Sequence, residues 1–332
     1  MTRTNARRTL AAVDIGSSSI KYALYDVAGD GAPPLLLHET DPVATHLGKG
    51  LTPGAPLPAE ARARTLDVLR AFRADIDARG GRTGIVVATQ AVRIAADRAS
   101  FLAAVRDVFG SHTPVGTISG EDEARLSFLS VATTLGPFHG PILNLDPGGS
   151  SNDLAYGRGE TAERVLSIPF GMNHLVQVSD PETSDGRIDA ESMTRLEDFV
   201  REKFAPVRDL VADRHPPRAL TATSGAVIAV ANVWKSVSLS ARHERSMAAH
   251  GVAVPLAAVR AVARAAAPLT TAERRRLWPC LSSARAPIFV HGCVVYAVLL
   301  EVLGLDAVWV NGYGLKFGVL MAAERGTLEL RS

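Results

Sequence analysis

Asp14 closes an apolar run in LAAVDIGSSSIKYALYDV and is followed by Gly16, Ser17, Ser18 and Ser19. The same order returns in ILNLDPGGSSNDLAYG, where Asp146 precedes Gly148, Gly149, Ser150 and Ser151. A tight turn of Gly and Ser can gather consecutive backbone N–H groups into one concavity, which suits phosphate oxygens. An Asp at the end of the incoming strand sets a carboxylate beside that concavity, where it can hold Mg²⁺ or a metal-bound water. Anion cradle and metal-binding carboxylate together describe a phosphoryl site. One copy alone is more readily a plain hairpin turn. Two copies in matching strand contexts shift the weight to phosphate binding, because internal repeats reuse one structural unit.

Three further stretches carry candidate chemistry. In TISGEDEARLSFLSV, Ser119 and Gly120 open a helix whose first turn holds Glu121, Asp122 and Glu123. An acidic residue there answers a capping Ser and suits the helix dipole. It equally suits a general base that activates water against phosphorus, a role for Glu123. Arg93, in ATQAVRIAAD, follows a short apolar run and can bind phosphate through its permanently charged fork, or lie solvated on a helix. TATSGA places Ser224 and Gly225 between a strand and a helix, either as an anion-binding turn or as an ordinary connection.

The elements that must position these residues follow from the apolar pattern. Residues 9–39 predict three strands, 41–57 a loop, and 58–79 a helix with Leu66, Leu69, Phe72 and Ile76 at helical spacing. GIVVAT and VGTI predict strands, with helices over 99–109 and from Ser119 to about Thr133. The second half repeats the plan with strands 141–145, 152–157 and 163–169, one long helix over 188–213, the strand RALTAT and a helix after SGA. Residues 236–287 predict mostly helix, broken at Pro255, Pro268 and Pro279. A buried helix ending near Gly304, a strand over 307–310 and a helix over 314–324 complete the chain. Hairpins followed by strand–helix units predict an α/β class with mixed sheets, the two halves facing one another across a cleft.

Composition sets outer limits. The 332 residues suggest about two domains, with 47% hydrophobic and 21% charged residues, as in a globular protein with a sizeable core. A net charge of +2 argues neither for nor against nucleic acid, and no specific nucleic-acid partner is expected. The opening MTRTNARRT, with Arg3, Arg7 and Arg8, reads as a frayed tail without the apolar segment of a secretory signal. The stretch 288–310 is interrupted by Glu301, Gly304 and Asp306, which excludes a membrane span. Two distant cysteines, Cys280 and Cys293, form no redox or zinc pair, and a reduced, cytoplasmic setting is expected.

The order of DIGSSS, ATQAVR, ISGEDEARL, LDPGGSSND, SIPFGMNHL, TSGA and VNGYGLKFGVL resembles the exopolyphosphatase and guanosine pentaphosphate phosphohydrolase (Ppx/GppA) family over about residues 9–324. That resemblance implies two actin-like (ribonuclease H-like) domains, 1–125 and 126–312, the closing helix 313–326 packing back on the first. It implies Glu123 as catalytic base, Arg93 on the terminal phosphate, Asp14, Asp146 and Asp153 around Mg²⁺, and the Gly/Ser turns with Ser224 and Gly225 on phosphate. In-line attack of water on a terminal phosphoryl group would follow. The implied partner is polyphosphate or a phosphorylated guanine nucleotide, and the implied assembly a homodimer.

Several positions depart from the family pattern. Ser18 stands where Asn is common. Pro147, Ser150, Asn152 and Asp153 alter the second hairpin, and Pro147 lacks an N–H. Phe317 replaces the acid of a closing L-R-E-G. These departures keep open a sensor that binds without turnover, beside an ATP-binding actin-like scaffold and, more weakly, a sugar kinase. The arginines at 242, 245, 260, 264 and 274–276 read either as a track for a polyanion or as a solvated helical face.

Overall fold

A computed structural model describes residues 7–28, 32–179, 185–212 and 214–332. Its contacts divide the chain into two units, Met1–Leu126 with Leu315–Ser332, and Ser127–Gly314. The first unit opens with β1 (Arg8–Ile15), β2 (Ser19–Val27), β3 (Leu35–Glu39) and the short β4 (Val43–Ala44). There follow α1 (Ala59–Ala78), β5 (Arg82–Ala88), α2 (Gln90–Ile94), α3 (Arg98–Phe109), β6 (Val115–Thr117) and α4 (Gly120–Thr134), within which the unit boundary falls. Antiparallel pairs β3–β2–β1 continue into the parallel pairs β1–β5–β6, with β4 beside β2. Val13, Ile15, Val86 and Phe101 form its core with Leu69, Phe72 and Ile76, the inward stripe of α1.

The second unit repeats that order. It holds β7 (Ile142–Pro147), β8 (Asn152–Arg158), β9 (Thr161–Ile168), α5 (Met172–Val178), α6 (Ala190–Lys203), α7 (Ala205–Val211), β10 (Ala219–Ala222) and α8 (Gly225–Trp234). It closes with α9 (Arg242–Ala249), β11 (Ala253–Pro255), α10 (Leu256–Ala266), α11 (Thr271–Leu277), α12 (Phe289–Leu303) and β12 (Ala307–Val310). The sheet runs β9–β8–β7–β10–β12–β11, so its first five strands match the first unit in order and sense. The apolar α12, buried from Phe289 to Leu300, ends where Gly304 takes the left-handed conformation that a side chain resists. Among the described residues no helix is long and apolar enough to cross a membrane.

The last helix, α13 (Leu315–Glu324), packs in the first unit. A Cβ built at Gly318 would sit 1.9 Å from the Leu126 carbonyl oxygen of α4, so only glycine permits that approach. Phe317 is fully buried and meets the edge of Tyr25 at 5.9 Å between ring centroids. At this position the chain has a core residue where the family pattern has an acid.

The expected class, two mixed sheets in an α/β fold, is borne out, and several local expectations are corrected. The single helix over 188–213 is two, broken around Phe204 ahead of Pro206; position 213 lies outside the described residues. Residues 236–287 contain the strand β11, recruited by pairing with β12. Neither reading of the arginine-rich segment holds throughout. Arg274 is fully buried and donates to the carbonyls of Ala266, Ala286 and Gly186 at 2.9, 3.1 and 2.6 Å. Arg245 is also buried, and Arg260 pairs with Glu197 and Glu301. At the amino terminus Arg3 lies outside the described residues, but Arg8 begins β1 and pairs with Glu324, while Arg7 pairs with Asp26.

Candidate phosphate and metal site

In each sheet the parallel strands end beside the candidate residues. Asp14 closes β1, Arg93 follows β5 and Glu123 follows β6; Asp146 closes β7 and Ser224 follows β10. Ligands of open α/β sheets gather beyond such carboxyl ends.

The two Gly/Ser turns are built alike. The Gly16 N–H donates to the Ser19 carbonyl at 3.2 Å, and the Gly148 N–H to Ser151 at 2.8 Å. A Cβ at Gly16 would press on that acceptor at 2.8 Å, which accounts for the glycine. A supporting loop then takes the turn carbonyls. Gly48 donates to the Ser17 oxygen at 2.8 Å, and Thr45 and His46 donate to the Ser18 oxygen at 3.1 and 3.0 Å. In the second unit Met172 donates to Gly148 at 3.1 Å and Asn173 to Gly149 at 3.0 Å. In a trans peptide the N–H opposes the preceding C=O. Tying down the carbonyls therefore turns the next amides, of Ser18 and Ser19 and of Gly149 and Ser150, away from the supports. Among the described residues the amides of Ser17, Ser18, Gly149 and Ser150 donate to no protein group. The sequence reading missed both supports. Their signal was Gly48 and Gly171, whose added Cβ atoms would meet Ser17 Cβ at 2.9 Å and the Gly149 carbonyl carbon at 2.5 Å.

The carboxylates differ between the hairpins. Asp14 faces Lys21 across the strand pair, with Lys21 Nζ 3.1 Å from Asp14 Oδ2. Asp14 is 4% exposed, and its Oδ1 is buried without a hydrogen-bond partner among the described residues. Behind it Lys316 of α13 pairs with Glu39 at 2.9 Å, both nearly inaccessible. Burial pushes the Lys316 pKa down, against the pull of Glu39. In the second hairpin the register sets Asp146 opposite Asp153, so both carboxylates share one face of the sheet. Asp146 accepts from Ser127 Oγ at 3.0 Å; Asp153 accepts from Ser151 Oγ and Ser167 Oγ at 3.1 and 2.5 Å. Pro147 lies past the last residue of β7 paired with β10, so its missing N–H leaves no gap in that ladder. Asn152 donates to the Phe170 carbonyl at 2.6 Å and fastens the support to its hairpin.

The first turn of α4 separates capping from chemistry. Ser119 Oγ accepts from the Asp122 N–H at 3.0 Å, and Asp122 Oδ2 accepts from the Ser119 N–H at 3.2 Å. Asp122 thus completes the cap, one residue earlier than Glu123. Glu123 instead pairs with Arg93, whose Nη1 lies 3.0 Å from Glu123 Oε1 and donates to the Ile118 carbonyl at 2.6 Å. Both side chains are about a quarter exposed, at 26% and 20%.

At the start of α8, Ser224 Oγ accepts from the Ala226 N–H at 3.0 Å and lies 2.7 Å from the Tyr296 hydroxyl, so the cap occupies this side chain. A Cβ at Gly225 would come within 2.8 Å of Arg285 Nη2 and 3.0 Å of Arg242 Nη1. Two guanidiniums flank this glycine. Burial, then the neighbouring Arg242, pushes the Arg285 pKa down to about 10, still protonated at neutral pH. Arg285 was absent from the sequence reading because a lone arginine before an apolar helix carries no pattern.

Ser17 Oγ is likewise engaged, accepting from the Ala91 N–H at 3.1 Å. Ser18 and Ser150 are the exposed tips of their turns.

Known proteins resemble this chain over most of its length. Residues 27–325 match the model of the Ppx/GppA phosphatase family. An uncharacterized protein of Streptomyces coelicolor is 31% identical over 313 residues, covering 93% of this chain and 88% of its own. Exopolyphosphatase 1 of Mycobacterium tuberculosis is 26% identical over 314 residues, covering 94% and 87%. Among solved structures, the Aquifex aeolicus Ppx/GppA member superposes with a TM-score of 0.80 at 23% identity, covering 98% of this chain and all (100%) of that one. An exopolyphosphatase from Cytophaga hutchinsonii gives 0.78 at 21% identity, covering 97% and 99%.

Proposed function

Since the chain belongs to the Ppx/GppA phosphatase family, we propose that it is a Mg²⁺-dependent phosphohydrolase that releases terminal phosphate from inorganic polyphosphate. The observation that carries this reading is Glu123: the helix cap is completed without it, and it is held by Arg93 beyond the carboxyl ends of β5 and β6. A carboxylate so placed can take a proton from water. Arg93, a fork suited to phosphate, exchanges part of its bond to Glu123 for the terminal phosphoryl oxygens when substrate binds. With substrate bound, Glu123 orients the attacking water in this reading.

The residues present fit a magnesium ion. Asp146 and Asp153 of the second unit offer hard oxygen donors from one sheet face. No group of three or more His, Cys, Asp or Glu among the described residues could hold a metal alone. Two carboxylates suffice for Mg²⁺, which keeps waters and shares its shell with substrate phosphates. When bound, the ion would neutralise charge developing on the phosphate oxygens. Within each unit the turn amides can orient phosphate oxygens, and in the second unit Arg242 and Arg285 beside Gly225 supply further positive charge for a polyanion.

Polyphosphate is placed before guanosine pentaphosphate because the named relatives are exopolyphosphatases. Phosphate release with Mg²⁺ from long-chain polyphosphate, guanosine pentaphosphate and ATP, run beside Glu123→Gln, tests the reading. Release from polyphosphate, lost in Glu123→Gln while binding persists, is expected. Unchanged release by that variant would remove Glu123 as base. Binding with no release from any substrate would make the protein a sensor.

A further inference from the structure

Strand β6 reads Val115-Gly116-Thr117, and a glycine inside a strand marks either weakness or the close approach of another backbone. Here it is the second. A Cβ at Gly116 would meet Leu330 Cβ at 2.8 Å and the Arg331 carbonyl oxygen at 2.9 Å. The segment beyond α13 lies along the edge of β6, where Thr117 and Arg331 form an antiparallel bridge. The Thr117 N–H donates to the Arg331 oxygen at 2.8 Å, and the Arg331 N–H donates to the Thr117 oxygen at 2.9 Å. Thr117 Oγ1 adds a bond to the same Arg331 oxygen at 3.2 Å.

This bridge sits at one functional joint of the first unit. Thr117 is the last residue of β6, and the chain turns through Ile118 and Ser119 directly into the cap of α4. Asp122, which closes that cap, lies 3.6 Å from the Arg331 guanidinium. Ile118 supplies the carbonyl that holds Arg93. The cap, the Arg93 anchor and Glu123 therefore all hang from the end of a three-residue strand. On one side that strand pairs with β5; on the other it is covered by residues 330–331. The exposed Arg331–Asp122 pair contributes little by itself. The reciprocal backbone bonds fix the strand end.

We infer that the carboxyl-terminal segment at Leu330–Arg331 is a positioning element for Glu123, bridging the β6 edge so that the α4 cap and Arg93 hold the base in one place. The inference deepens the proposed function and rests on Glu123 acting as base. Its physical basis is that small displacements of a catalytic group cost rate far more than they cost binding.

Two variants remove the contact in different ways: a chain ending at Gly326, and Gly116→Val, which keeps the segment but fills its seat. Each is compared with the full chain for kcat and KM of phosphate release, and for amide hydrogen exchange over residues 117–126. Expected are a kcat lower by about tenfold with KM within about twofold, and faster exchange at 117–126 in both variants. Wild-type kcat and unchanged exchange in both would overturn the inference. A fall in stability with kcat and KM unchanged in the folded fraction would overturn it too, by making the segment a staple only. Should the shortened chain fail to fold, Gly116→Val carries the comparison. Should the full chain release no phosphate, the phosphohydrolase reading fails on its own, and exchange at 117–126 still decides whether the segment fixes the α4 turn.

Discussion

Asp14 and Asp146 hold equivalent positions in two hairpins, yet their cross-strand partners differ in sign. Lys21 neutralises the first, whereas Asp153 doubles the charge of the second. The paired carboxylates make the second hairpin the better proposed seat for a divalent cation, since Asp14 already has a cationic neighbour. Asp146→Asn is expected to raise the Mg²⁺ concentration for half-maximal rate by about tenfold and to lower kcat, as loss of one charged oxygen ligand should. Asp14→Asn should shift that requirement less. A magnesium titration of initial rates checks the order, and the reverse order would move the metal to the first hairpin. The sequence showed the aspartates but not this asymmetry, because which residue faces which depends on register.

Helix α4 shows how an element divides its labour between neighbouring acids. Asp122 answers Ser119 and Glu123 answers Arg93, so a first turn that the sequence left open between capping and catalysis caps with one acid and leaves the other as the proposed base. Further along the same helix, Leu126 receives Gly318 of α13 with its backbone bare. Gly318→Ala is expected to destabilise the protein by about 2 kcal/mol, within the range for overpacking a tight core. Gly304→Ala, where the helix end needs a left-handed residue, should cost about 1 kcal/mol. Urea midpoints of the two variants test the ranking. Equal losses would show that the α13–α4 approach relaxes easily.

Over the whole molecule, acid sensitivity is written into buried histidines. His291, packed in the second unit, has its Nε2 2.8 Å from Ser179 Oγ, while its Nδ1 has no partner among the described residues. Burial, and then the field of Arg274, pushes its pKa down to about 4. The unfolded chain therefore takes up this proton first, near pH 6.5. Stability is full above that pH and falls as the pH drops toward 4, by about 3 kcal/mol from this group. His250, also lowered by burial, adds to the same trend. Urea unfolding from pH 7.5 to 4 should show the fall, and His291→Gln should flatten it. An equal slope in the variant would remove His291 as the cause.

The sequence by itself determined the repeat, the mixed-sheet class and the candidate residues, because apolar periodicity and the Asp–Gly/Ser order are local and were read directly. It also carried the family, since motif order survives substitution at Ser18, Pro147 and Phe317. Only the tertiary structure decided which partners those residues have. Glu123 meets Arg93 across a sequence separation of 30, Lys316 meets Glu39 from the far end of the chain, and Arg274 is buried although its neighbours Arg275 and Arg276 are not. Such pairings depend on which strands lie side by side and how they are registered. The supports at 45–48 and 171–173 and the bridge at Arg331 were illegible for the same reason: their contribution is a backbone hydrogen bond or an empty space beside a glycine, and neither has a side chain to announce it.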